Sequence, residues 1–210
     1  MKHRIAVAAI LLLAATPLFA QTPKGWMVRA DHSSEASDPD AAGPIKFVTS
    51  GSGFRATNPM AGVYWNPANT ATGVYTLKGK FTQIKATGYN EYYGLVFGGS
   101  DLAGAKQTYI YFMVSDDGTF LIKHLVAGGG AQTVSDKIPN SAVKKADASG
   151  TCTNALEIHV LADKVEFVIN GALVSTMPKT GALAKTDGIY GIRVNHQLEV
   201  QVDGFGISRM

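Results

Sequence analysis

The strongest constraint on the fold of this chain lies in residues 92–125. Three runs rich in aromatic and β-branched residues, at 92–99, 109–114 and 119–125, are typical of successive strands. An Asp-Gly pair at 117–118 joins the last two runs and predicts a hairpin, because glycine accepts the positive φ of tight turns. Alternate residues of a strand face opposite sides of the sheet, and in these runs both sets of residues are apolar. We therefore predict central strands that are covered on both faces.

Alternating apolar runs continue along the rest of the chain, with turn residues about every 8 to 12 positions. Asn170-Gly171 predicts a type I′ hairpin. In the long irregular region 127–153, residues 132–135 could form a short strand and residues 141–146 one helical turn. Helix signals are otherwise almost absent. We therefore predict an all-β fold, a two-sheet antiparallel β-sandwich of the jelly-roll type, since two packed sheets are needed to bury so many apolar strand faces.

The first residues have the features of an export signal. Lys2 and Arg4 form a positive start, residues 5–15 are apolar, and a small residue stands just before the expected cut. We predict that residues 1–20 are a signal peptide and that residues 21–210 form a single domain. A membrane anchor is the alternative, but its apolar run is shorter than the roughly 20 residues that span a bilayer. No later segment is apolar for long enough, so we expect a secreted or periplasmic protein without a stable membrane span.

The charge of the chain argues against nucleic acid as a partner. The formal net charge is +3, and removal of residues 1–20 takes away two cations and no acid, which leaves +1. Nucleic-acid binding normally requires a basic face, which a nearly neutral chain does not provide.

The chain has one cysteine, Cys152, and so cannot form an internal disulfide. We expect a tolerated thiol in a loop or at a strand edge. A nucleophile or an intermolecular bridge is the alternative, but a nucleophile needs a base held close to it, and the neighbouring residues 151–154 supply none.

Three stretches carry a resemblance to a known family. They are 109–122 with its Asp-Gly turn, 154–171 with Asn-x-Leu-x-Ile and Val-Glu-Phe-x-Ile-Asn-Gly, and 188–207, which ends in Val-Asp-Gly-Phe-Gly-Ile. Together they resemble the closing half of a concanavalin A-like jelly roll, as in laminin-G-type and glucanase-type domains. Within that superfamily the chain most resembles exported bacterial 3-keto-disaccharide hydrolase domains. The resemblance implies a jelly roll that binds carbohydrate or cleaves glycosides.

Glucanases of this fold place their catalytic acids as Glu-x-Asp-x-(x)-Glu on one strand, where one carboxylate attacks and another donates a proton. The sequence has no such motif, because Glu157 is followed by Ile-His and Glu199 by Val-Gln. A retaining enzyme of the laminarinase or agarase type is therefore not expected.

The resemblance also implies that one open sheet face forms the ligand groove. Sugars are bound by flat aromatic rings and by planar amide or guanidinium groups that reach their hydroxyls. The candidate ligand-binding residues of these types, together with one acid at the mouth of a strand, are Tyr64, Trp65, Asn66, Glu91, Tyr93, Tyr109, Tyr111, Arg193, Asn195 and His196.

Strand parity gives these candidates two interpretations. Tyr109 and Tyr111 share one sheet face, so both line the groove or both fill an apolar face of the sandwich. Arg193 lies between Ile192 and Val194 and points away from them, so it is either solvated or a groove donor. Asn195 repeats that parity.

Metal and acid–base sites have weaker signals. His32, His124, His159 and His196 lack the short spacing of a zinc site. His159 shares a strand face with Glu157, a pair that could perform acid–base work but that more simply lies on an exposed face. No cofactor is predicted. Calcium is the one cation that the resemblance makes plausible, and its candidate ligands are the loop acids Asp31, Glu35, Asp38 and Asp40. Their spacing fits no fixed calcium loop, so a solvated surface loop is the favoured interpretation.

These features favour an exported jelly roll that binds carbohydrate or a related polar ligand, with a carbohydrate or glycoconjugate as partner. The first alternative is a glycoside hydrolase that acts on keto-disaccharides or similar glycosides, which requires two acids, or an acid and a histidine, close together. The second is a non-catalytic interaction module of the envelope or cell surface.

Overall fold

The computed structural model describes residues 22–33, 39–85 and 88–209. Within these ranges the chain forms fourteen strands and one 3-10 helix of three residues, Gly181–Leu183. No helix in the described part of the chain is long and apolar enough to cross a membrane. The predicted signal peptide lies outside the described residues.

The strands are antiparallel and form two sheets of seven. In chain order they are β1 (Met27–Asp31), β2 (Lys46–Ser50), β3 (Gly53–Asn58), β4 (Ala61–Ala71), β5 (Tyr75–Lys85), β6 (Tyr92–Ser100), β7 (Thr108–Ser115), β8 (Thr119–Val126), β9 (Gly130–Pro139), β10 (Cys152–Val160), β11 (Lys164–Ile169), β12 (Ala172–Pro178), β13 (Gly188–Val194) and β14 (Leu198–Ser208). The first sheet has the order β1-β4-β13-β6-β7-β8-β9, and the second β12-β11-β10-β5-β14-β3-β2. The predicted all-β sandwich is confirmed.

The central strands of the first sheet are buried on both faces, as their apolar runs predicted. On the inner face, Leu95 of β6 and Phe112 of β7 belong to the main core, with Leu77 and Leu156 of the second sheet. On the outer face, the next residues along the same two strands form a second apolar cluster, which includes Val96. The period of two in the strands therefore supplies two layers of buried side chains.

The predicted hairpins are present. The Gly118 N–H donates to the Ser115 carbonyl at 3.2 Å, and Gly118 has a φ of 91°. Asn170 and Gly171 both have positive φ, 50° and 82°, as a type I′ turn requires. The strand predicted at 132–135 is present but longer than predicted, since it is part of β9, Gly130–Pro139.

The prediction of a helical turn at 141–146 was wrong. The Lys144 N–H donates to the side-chain oxygen of Asn154 at 2.8 Å, and the Asn154 amide donates back to the Lys144 carbonyl at 3.1 Å. These two bonds hold the segment against the first residues of β10 and use backbone groups that a helix would need for its own ladder.

Cys152 is the first residue of β10 and is buried, with its sulfur 3.3 Å from the Tyr93 hydroxyl. Burial raises the pKa of the Cys152 thiol, so the reactive thiolate is disfavoured. The environment is that of an unreactive core thiol.

Phe112 is a direct test of the sandwich core. It is completely buried, and its ring centroid lies 5.1 Å from that of Phe167 in the second sheet and 6.0 Å from that of Phe120. We expect Phe112→Ala to lower the free energy of unfolding by about 3–5 kcal/mol, measured by urea titration, because it leaves a cavity between the sheets. The exposed Leu173 of β12 is the control, and Leu173→Ala should cost less than about 0.5 kcal/mol. Equal losses would contradict this packing.

Candidate functional site

Polar residues gather on the outer face of the first sheet, near its middle. Arg193 of β13 stands opposite Val63 of β4 on one side and Gly94 of β6 on the other. Val63 in turn stands opposite Arg29 of β1. Gly94 has no side chain, so the long side chain of Arg193 can extend across the strand toward β7.

The Arg193 guanidinium is held by three neighbours. Its Nη1 donates to an oxygen of Asp31 and to the Tyr109 hydroxyl, the latter at 2.7 Å. Its central carbon lies 5.4 Å from the centroid of the Tyr111 ring, within the range of a cation–π contact. One nitrogen therefore serves both an acid and a phenol, while an aromatic ring supports the rest of the group.

The electrostatics of these residues keep the guanidinium charged. Burial opposes the charge, but Tyr109, Asp31 and Tyr111 outweigh it, and the pKa of Arg193 is raised. Burial also raises the pKa of Tyr109 to about 12, partly offset by Arg193, so the phenol keeps its proton. At neutral pH the Arg193 guanidinium is therefore charged and the Tyr109 phenol is neutral.

Asp31 has a second cationic neighbour, Arg29, at 3.8 Å. Arg29 also donates to the Gly104 carbonyl at 2.7 Å, and Gln107, in the amide orientation that satisfies both groups, accepts from it at 3.1 and 3.3 Å. The loop between β6 and β7 is thereby fixed against β1. We call Arg29, Asp31, Tyr109, Tyr111 and Arg193 the arginine–aspartate cluster.

Exposure within the cluster is unequal. The side chains of Arg29 and Asp31 are 33% and 25% exposed, and that of Arg193 is 15% exposed. Tyr109 and Tyr111 are only 1% and 6% exposed. The two rings therefore lie beneath the charged groups and are not open surfaces on which a sugar could stack. Of the two interpretations of Tyr109 and Tyr111, burial in an apolar face of the sandwich describes them better.

A shallow depression of about 550 Å³ adjoins the cluster. Arg29 and Trp65 line it together with Met27, and Gly104 closes it from the loop side. Trp65 is 3% exposed and belongs to the same outer apolar cluster as the two tyrosines. Of the arginine–aspartate cluster, Arg29 is the residue that lines this depression.

Two buried polar atoms on this face have no hydrogen-bond partner among the described residues. They are Nε of Arg193, a donor, and Oδ1 of Asn195, an acceptor. Arg193 and Asn195 are two residues apart in an extended segment, so their Cα atoms lie about 7 Å apart. Buried groups of this kind are normally satisfied, so these two atoms are exceptions on a face that is otherwise well paired.

A second polar cluster lies where β13 ends and β6 begins. The His196 imidazole is hydrogen-bonded through Nε2 to Glu91 at 2.7 Å and through Nδ1 to Asp40 at 3.2 Å. Asp40 is also bonded to His32 at 3.1 Å. The side chains of Glu91 and His196 are 5% and 8% exposed. We call Asp40, Glu91 and His196 the histidine–carboxylate cluster.

The protonation of this cluster follows from its geometry. A neutral imidazole has one N–H, yet both nitrogens of His196 face carboxylates. Both bonds form only when the imidazole carries two protons or one of the carboxyl groups is protonated. Burial alone would raise the pKa of Asp40, but the bonds from His196, the Ser33 N–H and His32 hold that pKa below its usual value.

The structure brings most of the predicted site residues together. Trp65, Tyr109, Tyr111 and Arg193 share the outer face of the first sheet, with Asn195 beyond them, and Glu91 and His196 meet in the histidine–carboxylate cluster. Asn66 belongs to neither cluster, since its side-chain oxygen accepts from the Ala68 N–H at 3.0 Å.

Tyr64 and Tyr93 were wrongly placed among the groove candidates. Both are completely buried between the two sheets. The Tyr64 hydroxyl is bonded to the side chain of Asn58, and that of Tyr93 faces Cys152. Their strand parity directs them inward, and the partners that satisfy their hydroxyls could not be read from the sequence.

His159 is bonded to Glu157 at 3.1 Å and lies 3.7 Å from Glu166. All three are in the second sheet, whereas Glu91 precedes β6 of the first sheet. His159 and Glu91 therefore do not form a joint site.

Of the four acids expected as calcium ligands, the two in the described residues, Asp31 and Asp40, have separate partners. Asp31 is bonded to Arg193 and Asp40 to His196, while Glu35 and Asp38 lie outside the described residues. Within the described ranges, no group of three or more histidine, cysteine or acidic side chains is arranged to hold a metal ion. The two described acids thus do not fit a common cation, and calcium binding stays a prediction.

Comparison with solved structures finds this architecture in several proteins. The carbohydrate-binding module CBM66 from Bacillus subtilis has a TM-score of 0.60 at 13% identity, over 88% of this chain and 95% of the module. A GH16 protein from Bacteroides ovatus in complex with a product has a TM-score of 0.57 at 7% identity, over 91% and 97% of the two chains. A Bacillus subtilis protein of unknown function with a galectin-like fold has a TM-score of 0.56 at 13% identity, over 89% and 90%. No family model and no curated protein matches the sequence.

The chain has a concanavalin A-like jelly-roll fold. The predicted jelly-roll fold is thereby confirmed. Identities this low show the fold alone, since one fold hosts many functions. The finer resemblance to 3-keto-disaccharide hydrolase domains stays a prediction.

Asp40 should make the stability of this jelly roll depend on pH. Its folded-state pKa lies below the ordinary value of 3.8, so its contribution is present above that pH and is lost as the pH falls through the folded-state pKa. We expect Asp40→Asn to lower the free energy of unfolding by about 1–3 kcal/mol at pH 7, and the difference from wild type to shrink as the pH falls through the folded-state pKa of Asp40. Urea titration at several pH values measures this difference in the free energy of unfolding.

The exposed Asp163, in the turn before β11, provides the matched control. Asp163→Asn removes the same charge without removing a bond to His196, so its unfolding should follow that of the wild type. A constant difference between wild type and Asp40→Asn at every pH would contradict the assignment.

Proposed function

We propose that the protein binds carbohydrate, or a related ligand rich in hydroxyl groups, at the arginine–aspartate cluster. The observation that carries this proposal is the ion pair between Arg193 and Asp31 on an aromatic floor, with the Nε of Arg193 unpartnered among the described residues. Such a pair costs desolvation energy, and a hydrophobic replacement is often no less stable. Stability alone therefore does not explain why an ion pair is present here, whereas a role in ligand binding does.

The chemistry of the cluster suits hydroxyl groups. A hydroxyl both donates and accepts, so it can donate to a free lone pair of Asp31 and accept from the exposed part of the Arg193 guanidinium. Hydrogen bonds to charged groups are roughly twice as strong as neutral ones, and they do not require an open aromatic surface. Recognition here would therefore rest on charged hydrogen bonds, with the tyrosines fixing the direction of the guanidinium.

The solved structures with this fold support the proposal by analogy. One is a carbohydrate-binding module, and another is a GH16 protein in complex with a product. The export signal expected at residues 1–20 would place the protein outside the cytoplasm, in the periplasm or the medium, where free glycans are available.

Arg193→Lys tests the proposed site. Lysine keeps the charge but has a single nitrogen, so it cannot bond Asp31 and Tyr109 through one nitrogen and a ligand through another, as the planar guanidinium can. On a glycan array followed by calorimetry, we expect wild type to bind at least one saccharide and Arg193→Lys to bind it at least about tenfold more weakly, a loss of about 1.4 kcal/mol.

Arg55 of the second sheet is the matched control, because it also pairs with a carboxylate, that of Glu199, at 2.7 Å. Arg55→Lys should leave the affinity unchanged. Absence of binding to any saccharide by wild type, or equal losses in the two variants, would refute the proposal.

A glycoside hydrolase is the second candidate, and the histidine–carboxylate cluster favours it. Glycoside cleavage needs a proton donor and a second group that activates water or attacks the sugar. Glu91, His196 and Asp40 are an acid–imidazole–acid series that can hold and pass a proton. The cluster also ties β6, β13 and the segment at Asp40 together, so a purely structural role explains the same contacts.

Turnover separates these two roles. If the cluster is catalytic, Glu91→Gln should lower hydrolysis of aryl glycosides or 3-keto-glycosides at least about 100-fold. Glu157→Gln, on the second sheet, serves as the control. Release of sugar at wild-type rates by Glu91→Gln, with the fold intact by circular dichroism, would exclude this machinery.

A further inference from the structure

We propose that the protein has a second ligand site, a depression on the outer face of the second sheet that takes an acidic saccharide such as a uronate. The depression has a volume of about 340 Å³, at the lower end of the range of small-molecule sites. It lies on the opposite side of the sandwich from the arginine–aspartate cluster. This inference therefore goes beyond the proposed function and does not depend on it.

The floor of the depression is a row of four side chains across four neighbouring strands. Lys46 of β2 stands opposite Thr57 of β3, and Thr57 opposite Glu199 of β14. A shift in the register of β5 brings Lys85 opposite Glu199. The residues next to the row along β2, β3 and β14 belong to the core, so the row faces outward. The two lysines are three strand spacings apart, about 14 Å, so both can reach a ligand over the middle of the row.

The walls of the depression come from three turns that are tied together. Pro44 lies in the loop before β2, Pro59 between β3 and β4, and Gln197 just before β14. The Gln197 side chain donates to the Pro39 carbonyl at 2.9 Å, and the Ala41 N–H donates to the Pro59 carbonyl at 2.8 Å. The two lining prolines present apolar surface, against which the C–H groups of a sugar ring can pack.

The charges of the depression favour an anion. Neither Lys46 nor Lys85 forms an ion pair with another residue in the described ranges. Glu199 is the one acid among the described lining residues, and it is already paired with Arg55 at 2.7 Å. The acids of the histidine–carboxylate cluster do not line the depression. Two cations are therefore left to attract a negatively charged ligand.

The hydrogen-bonding groups add a requirement for hydroxyls. Oε1 of Glu199 accepts from Nε of Arg55 at 2.9 Å and from the Thr57 hydroxyl at 3.3 Å. Oε2 takes no bond from a described residue and is not among the buried unpartnered atoms, so it is open to a ligand hydroxyl. A uronate can supply both a carboxylate for the lysines and a hydroxyl for Oε2. Sulfate has no proton to donate, and an uncharged sugar leaves the lysines unmatched.

An NMR titration with three probes tests the site. The probes are digalacturonate, its methyl ester, in which the carboxylates are neutralised, and sodium sulfate. We expect digalacturonate to bind at least about tenfold more tightly than either of the others, and to shift the backbone amide resonances of Lys46 and Lys85. Raised salt should weaken this binding, because it screens the attraction.

A double variant, Lys46→Gln with Lys85→Gln, should bind digalacturonate at least about tenfold more weakly, since both free cations are lost. The matched control is Lys78→Gln with Lys80→Gln. These two lysines are also exposed on the second sheet, in β5, but do not line the depression. The affinity of the control should stay within about twofold of wild type, with both variants folded by circular dichroism.

The outcomes separate the second site from the proposed function. Equal affinities for digalacturonate and its ester, sulfate binding as tight as that of digalacturonate, or equal losses in the two double variants each overturn the second site. Absence of digalacturonate binding does the same and leaves the arginine–aspartate cluster to its own test. Arg193→Lys should bind digalacturonate as wild type does, and a loss there would assign this ligand to the first sheet instead.

Discussion

The structure depends on covering both faces of the first sheet. The second sheet covers only the inner face, through a core that includes Phe81 and Phe167. The outer face of β6 and β7 is covered by its own large side chains, among them Val96, Tyr109 and Met113. Burial of this second layer stabilises the sheet by about 25 cal/mol for each Å² of apolar surface removed from water. It also creates a low-polarity surface on which any charge must be paired.

That surface explains why the polar residues form tight clusters. A guanidinium above tyrosine rings is poorly solvated, so Arg193 requires the Asp31 carboxylate and the Tyr109 hydroxyl. The same requirement orients both charges in fixed directions, which is what a binding site for directional hydroxyl groups needs. Packing and recognition on this face thus come from one arrangement.

Much of the fold could be predicted from the sequence because its signals are local. The Asp-Gly and Asn-Gly turns, the apolar parity of β6 and β7, and the outward direction of Arg193 each depend on neighbouring residues. The helical turn predicted at 141–146 was wrong because the conformation of this segment depends on a residue distant from its own pattern, Asn154 of β10.

The candidate site was predictable only in part. Tyr109, Tyr111 and Arg193 could be assigned to sheet faces, but the pairing of β13 with β4 and β6 could not, since these strands are distant in sequence. The role of Asp31 was missed for the same reason, because its partner lies 162 positions away. The alternation of Arg29 and Asp31 along β1 was the one available signal, and it does not identify their partner.

A ligand that binds at the arginine–aspartate cluster changes the surroundings of the Arg193 guanidinium on the outer face of the first sheet. The most direct measurement is an NMR titration that follows the arginine Nε–H resonances as a saccharide identified by array is added. We expect a saturable shift of the Arg193 resonance, while the resonance of Arg55 in the second sheet does not move. A shift of the Arg55 resonance with no change at Arg193 would place the ligand elsewhere and contradict binding at the arginine–aspartate cluster.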